Sequence, residues 1–180
     1  MADDIFYMRL ALAQARLAGA MSEVPVGAVI VDGRGAVVAQ GCNRTLTDHD
    51  PSAHAEMVAL RQAGLLLERY RFNELTLYVT LEPCIMCVGA LIHARIKRVV
   101  FGAYDGKTGA CGSMFSLMND RRHNHHIEVQ GGVLYSECAS LLQQFFKGRR
   151  QLLKQKRLSP SACSAHLKGA LNPKAKFLRP

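Results

Sequence analysis

Between Leu75 and Ala103 the chain reads as strand, helix, strand. "LTLYVT" and "RVVFGA" are short apolar runs rich in β-branched residues, and the segment between them opens at "PCIMC" and continues as a helix. Strands joined through a helix lie parallel in one sheet, with a right-handed crossover. Pro83 suits the first turn of that helix, where no backbone donor is needed. The segment therefore commits the chain to a layered α/β domain, a sheet between helices.

The flanking sequence extends this arrangement. Over residues 4–20, Ile5, Met8, Leu12, Ala15 and Leu17 recur at helical spacing. "VPVGAVIVDGRGAVVAQG" places two β-branched runs around Asp32-Gly33-Arg34-Gly35, a β-hairpin. "AHAEMVALRQAGLLLERY" is helical, with turn and capping chemistry ahead of it at Asp50-Pro51-Ser52. After "RVVFGA" the pattern gives a loop from Asp105 to Gly112, a short helix at "SMFSLMND", a last strand at "HIEVQGGV" and a long helix from Tyr135. The expected fold is three-layered α/β/α, with a mixed five-stranded sheet that begins as an antiparallel hairpin. Ligands are expected in the loops outside the carboxyl ends of its parallel strands.

The 180 residues fit one domain over residues 1–157 and a tail over residues 158–180. The tail mixes Ser, Pro, Gly, Ala and Lys without a period and is expected to be disordered. No run approaches the roughly 20 apolar residues of a membrane span. The start, "MADDIFYMRL", is acidic and then amphipathic, unlike a secretory leader. The expected compartment is a reducing cytoplasm, where six cysteines serve as ligands or buried thiols. The net charge of +9 is unevenly spread: residues 1–144 hold 13 Lys and Arg against 14 acids, whereas residues 145–180 hold 10 and no acid. Such a basic end suits an anionic partner, or simply keeps the chain in solution.

Cys84 and Cys87 stand at i and i+3 in the first turn of a helix, where free amides and the helix dipole favour thiolates. The pair alone leaves redox chemistry, a structural zinc site and a catalytic metal open. "HAE" upstream separates them. His54 with the two cysteines makes three protein ligands and leaves a fourth tetrahedral position for water, as in catalytic zinc sites. Glu56 can then take the proton of that water. Residues i and i+2 of a regular helix face apart, so this arrangement requires His54 at the cap and Glu56 in the first turn.

"HAE" with "PCIMC" resembles the zinc-dependent nucleobase deaminases. "EVPVGAVIV", "NRTLTDHDPSAHAE", "LYVTLEPCIMCVGALIHARIKRVVFGA", "DGKTGACGS" and "FFKGRR" resemble the bacterial tRNA adenosine deaminases in order and spacing, over about residues 5–157. The resemblance implies a cytidine-deaminase-like fold, a homodimer, one zinc per subunit on His54, Cys84 and Cys87, and Glu56 as the proton shuttle. It implies hydrolytic deamination of the wobble adenosine in a tRNA anticodon stem-loop to inosine, by attack of activated water at C6. Asn43 matches a position that hydrogen-bonds the target nucleotide, and Asp105 an acidic position near its ribose. Lys107, Phe146, Arg149 and Arg150 match positions on the anticodon-facing surface. Left to themselves, Asn43 could be a left-handed turn residue and Asp105 a loop cap. Cys42 and Tyr104 depart from the family pattern, standing where an aromatic residue and an Arg are frequent.

Other readings share parts of this pattern. A deaminase of free cytosine, guanine or nucleosides would use the same four zinc-site residues, but needs no basic terminal helix. A catalytically silent zinc-stabilised RNA-binding module has no use for Glu56, and a redox pair leaves "HAE" unexplained. The run His123–His126 reads as a polar loop rather than a second metal site, and Cys42, Cys111 and Cys138 as buried thiols.

Overall fold

The structure is a computed structural model that describes residues 2–158. The chain divides into two units, Met1–Phe146 and Lys147–Pro180. The elements are α1 (Ala2–Ala20), β1 (Gly27–Val31), β2 (Val37–Cys42), α2 (Ala55–Leu67), β3 (Thr76–Leu81), α3 (Ile85–His93), β4 (Arg98–Ala103), β5 (Glu128–Gln130) and α4 (Tyr135–Leu158). The sheet order is β2-β1-β3-β4-β5. β1 pairs antiparallel with β2 and with β3, while β3–β4 and β4–β5 are parallel.

Strand alternation sorts the core into two layers. Ala28 and Ile30 of β1, Leu77 and Val79 of β3, and Val99 and Phe101 of β4 pack with Ala59, Leu60 and Ala63 of α2 and Val88 and Leu91 of α3. Val29 and Val31, Tyr78, and Val100 face the other way, against Met8, Ala11 and Leu12 of α1 and Cys138 of α4. The three layers and the mixed sheet are as the order of strands and helices predicts. The apolar stripe of α1 is narrower: Met8, Ala11, Leu12 and Ala15 are buried, but Ile5 and Leu17 are exposed.

Gly41 fixes how closely α2 lies on β2. A Cβ there would stand 2.5 Å from the Ala55 carbonyl oxygen and 2.6 Å from the Ala59 nitrogen. Only a residue without a side chain permits that approach, and Ala55 is the residue after His54.

Two expected elements change. Residues 113–120 form no helix, because their amides are engaged elsewhere: Ser113 donates to Glu82, Met114 and Phe115 to the Gly109 carbonyl, and Met118 to that of Ala110. The last strand is only Glu128–Gln130. The chain leaves the sheet at Gly131, where a Cβ would fall 2.5 Å from the Phe101 ring, and Gly132 follows with φ +85°. Pro83 lies just ahead of α3 rather than within it. The expected tail falls outside the described residues except for its first, Leu158, which ends α4. Among the described residues no helix is long and apolar enough to cross a membrane.

Candidate metal centre and active site

His54 and Cys84 are each the residue before a helix, with extended backbone (φ −71°, ψ 155° and φ −77°, ψ 173°). Neither side chain caps its own helix. For α2 the cap comes from outside, since the Asn43 Oδ1 accepts the Ala55 N–H at 2.9 Å. His54 is thereby released from the capping role that polar residues usually take at such a position. Its extended conformation removes the geometric objection to "HAE": the imidazole turns towards the cysteines while Glu56, in the first turn of α2, reaches the same cavity.

The His54 Nδ1 lies 3.6 Å from the Cys84 Sγ and 3.5 Å from the Cys87 Sγ, and the sulfurs are 3.7 Å apart. Tetrahedral zinc at about 2.0–2.1 Å from nitrogen and 2.3 Å from sulfur sets ligand atoms about 3.5–3.8 Å apart. The three donors therefore fit zinc without rearrangement, and among the described residues no other group of His, Cys, Asp or Glu is spaced to hold a metal.

The electrostatics agree with a site shaped for a cation. The Cys84 thiol is pulled down to about 4, first by its hydrogen bond with Cys87 and then by His54. Cys87 is pushed up by sharing that proton and by burial, and His54 is raised by its contact with Cys84. Burial pushes the Glu56 carboxyl up as well. Only Cys84 is shifted towards its anion; a bound divalent cation would favour the thiolate and neutral imidazole forms of all three donors, displacing the protons that Cys87 and His54 otherwise hold.

These groups open into a cavity of about 790 Å³ at the carboxyl ends of β3 and β4. Asn43, His54, Glu56, Cys84, Asp105, Lys107 and Phe146 all line it, whereas Cys87 is buried. Asn43 is buried with negative φ, so it is not the left-handed turn residue considered above. Its Oδ1 is committed to Ala55, which leaves its amide N–H groups to meet a ligand. Asp105 does cap its loop: Oδ1 accepts the Lys107 and Thr108 amides and Oδ2 the Thr108 hydroxyl. Arg149 and Arg150 are exposed residues of the second unit. In the histidine run, His123 and His125 make hydrogen bonds to the carbonyl oxygens of Leu117 and Ile96, so it is a pinned loop.

The sequence reading missed two buried carboxylates, each of which holds a loop against the cavity. Glu82 accepts the amides of Asp105, Cys111 and Ser113 at 3.0, 2.9 and 3.1 Å, together with the Ser113 hydroxyl. Glu23 accepts the amides of Leu46 and Thr47 and the hydroxyls of Thr45 and Thr47. Burial works against ionisation of Glu23, but these four donors outweigh it and hold its carboxyl below the usual range. Glu82 could have been singled out as an acid at the carboxyl end of a parallel strand. Glu23 carries no such mark.

Residues 1–103, which include all three sulfur and imidazole donors and Glu56, match the family described as the cytidine and deoxycytidylate deaminase zinc-binding region. The chain is 51% identical over 144 residues to a tRNA-specific adenosine deaminase of Haemophilus influenzae, covering 80% of this chain and 83% of that protein. A solved structure from work on A-to-I editing by tRNA:A34 deaminases is similar with a TM-score of 0.73 and 43% identity, over 76% of this chain and 99% of that one. A guanine deaminase from Nitrosomonas europaea is similar with a TM-score of 0.65 and 26% identity, over 77% and 82% of the two chains.

Proposed function

We infer the reaction from membership: the chain belongs to the cytidine and deoxycytidylate deaminase family and, within it, to the tRNA-specific adenosine deaminases. It deaminates the wobble adenosine of a tRNA anticodon to inosine. Water adds at C6, the C6–N bond breaks and ammonia leaves. The observation that carries this reading is the buried Glu56 carboxyl beside a three-donor cluster fit for zinc, in a cavity open to a large substrate.

In this reading His54, Cys84 and Cys87 hold one zinc per subunit. When bound, zinc supplies a Lewis acid that makes water a nucleophile near neutral pH. Glu56 takes a proton from the attacking water and gives it to the purine ring nitrogen, then takes the proton of the hydroxyl formed at C6 and gives it to the departing amine. The Asn43 amide donates to the target nucleotide. Asp105, whose oxygens already order its loop, keeps lone pairs for the ribose 2′-hydroxyl. Lys107, Arg149 and Arg150 meet phosphates of the anticodon stem-loop, and Phe146, exposed at the cavity, stacks on a base. The enzyme acts as a homodimer in the cytoplasm, and residues 158–180 add only a basic tail outside the deaminase domain of residues 1–157.

The test is inosine formation in a stem-loop with adenosine at the wobble position, run beside free guanine, cytosine and adenosine. Turnover on the stem-loop is expected, with Glu56→Gln lowering kcat about 10²–10⁴-fold while zinc content stays at one per chain. Turnover of a free base with none on RNA would move the assignment to the free-base deaminases.

A further inference from the structure

Part of the cavity lining is aromatic, and two of its rings, Tyr104 and Tyr135, take no part in the chemistry above. Tyr135, Ala139, Leu142 and Phe146 recur at spacings of four, three and four along α4, so one face of that helix lines the cavity. Ala139 and Leu142 are half-buried, but Tyr135 is 49% exposed and Phe146 43%. The two aromatic ends are 11 residues apart, about 16 Å along a helix. Tyr104, directly after β4, adds a third ring that is 55% exposed.

Tyr104 is held in place despite this exposure. Its ring meets the Phe101 ring edge-on, with centroids 5.1 Å apart and planes at 89°. A Cβ on Gly131 would stand 2.9 Å from the Tyr104 hydroxyl, so the glycine leaves room for the tyrosine. The Tyr135 ring lies 6.1 Å away at 46°. No hydrogen bond engages either tyrosine hydroxyl among the described residues. Half-exposed rings, fixed against their neighbours and bordering a cavity, offer a surface whose natural partner is a flat heterocycle with polar edges. In the tRNA reading the target base is already accounted for by Asn43 and Glu56 beside the metal donors.

We propose that Tyr104 and Tyr135 form a stacking site for the base that neighbours the target adenosine in the RNA. This rests on the tRNA reading above and adds a residue-level contact to the RNA outside the target base. Stacking of this kind tolerates every base but needs one to be present.

The test couples the protein to the RNA. Stem-loops are made with an abasic nucleotide on either side of the wobble adenosine, and KM, kcat and Kd are measured for the wild type, for Tyr104→Leu/Tyr135→Leu and for Tyr104→Phe/Tyr135→Phe. In the wild type, removing the base on one side should raise Kd and KM about tenfold and leave kcat within about twofold, as for loss of a contact equal in ground and transition states. The leucine variant should start from that weakened level and lose less than twofold more, whereas the phenylalanine variant keeps the wild-type response. Losses that multiply in the leucine variant, or a wild type indifferent to both abasic substitutions, overturn the stacking site while inosine formation still stands. No inosine on any stem-loop takes down the tRNA reading and this site with it.

Discussion

Removing the Glu82 carboxylate should loosen one wall of the active site by an amount that can be estimated. Its oxygens take three backbone amides and one hydroxyl from residues 105–113, and among the described residues it forms no salt bridge. The same loop is strapped to the metal-ligand segment, because the Ala110 amide donates to the Pro83 carbonyl at 2.9 Å and Gly109 bridges to Cys84. Asp105 is partly exposed and Ser113 exposed, so water can replace the carboxylate there at about 0.5 kcal/mol each, the low end for a hydrogen bond. The Cys111 amide is buried and keeps a penalty of about 2 kcal/mol when orphaned. Glu82→Ala should therefore cost at most about 3 kcal/mol, since it also recovers the desolvation of the acid. For a chain of this size that is a fall in Tm of about 6–12 °C. Glu82→Gln can still accept from Cys111 and Ser113, and its NH₂ can donate to the Ser113 hydroxyl, but that NH₂ then faces the Asp105 N–H. It should lose about half as much. Thermal denaturation of the three proteins, with zinc content and KM for the stem-loop, is the assay. An alanine variant melting within 2 °C of the wild type, or a glutamine variant melting below the alanine one, would refute the reasoning.

Gly41→Ala should drive α2 off β2, because the new Cβ meets backbone at 2.5 and 2.6 Å; an overpacking cost of about 1–3 kcal/mol and loss of bound zinc are expected, read by Tm and metal analysis. Asp4 accepts from Arg98 at 2.7 Å and from Tyr78 at 2.9 Å, and the Arg98 bond above all holds its carboxyl below 3.8. Its contribution is therefore present above pH about 4 and lost as pH falls through the depressed value. Asp4→Asn should cost about 1–3 kcal/mol at pH 7 and make the urea midpoint less sensitive to acid below about pH 4; an unchanged acid limb would count against it. Chelation should abolish turnover and lower Tm, with both restored by added zinc, since a metal that binds only the folded chain stabilises it by mass action. A Tm indifferent to chelation would argue that the donor cluster is not metal-bound.

The sheet was legible because its central strands are short continuous apolar runs rich in β-branched residues, the pattern of strands buried on both faces. Which residue faces which layer, Ile30, Leu77 and Val79 on one side and Val29, Tyr78 and Val100 on the other, came only with the structure. The helix expected at residues 113–120 failed for a reason no periodicity could reveal. Its amides go to a carboxylate 31 residues upstream and to carbonyls of the preceding turn, and tertiary acceptors outbid the local ladder. Ile5 and Leu17 looked like core for the opposite reason: the helix buries small residues, Ala11, Ala15 and Ala18, where close approach to the sheet leaves room for little else.

At the site, residue types were readable but the division of labour was not. The spacing of "HAE" presents a contradiction, since an imidazole and a carboxyl two residues apart cannot share a helical face. The structure resolves it by moving the helix start to Ala55 and assigning the capping bond to Asn43. Asn43 thus has two tasks open to one amide: its oxygen caps the helix that starts after His54 and carries Glu56, and in the proposed reading its nitrogen donates to the target nucleotide. It follows that the two functions separate by chemistry. Asn43→Asp keeps the acceptor for Ala55 but removes the donor, so it should retain zinc and Tm while losing affinity for RNA. Asn43→Ala removes both, and should lower Tm by the cost of a missing cap, about 1 kcal/mol, as well. If the aspartate variant were as destabilised as the alanine one, the bond to Ala55 would not be what sets His54 free.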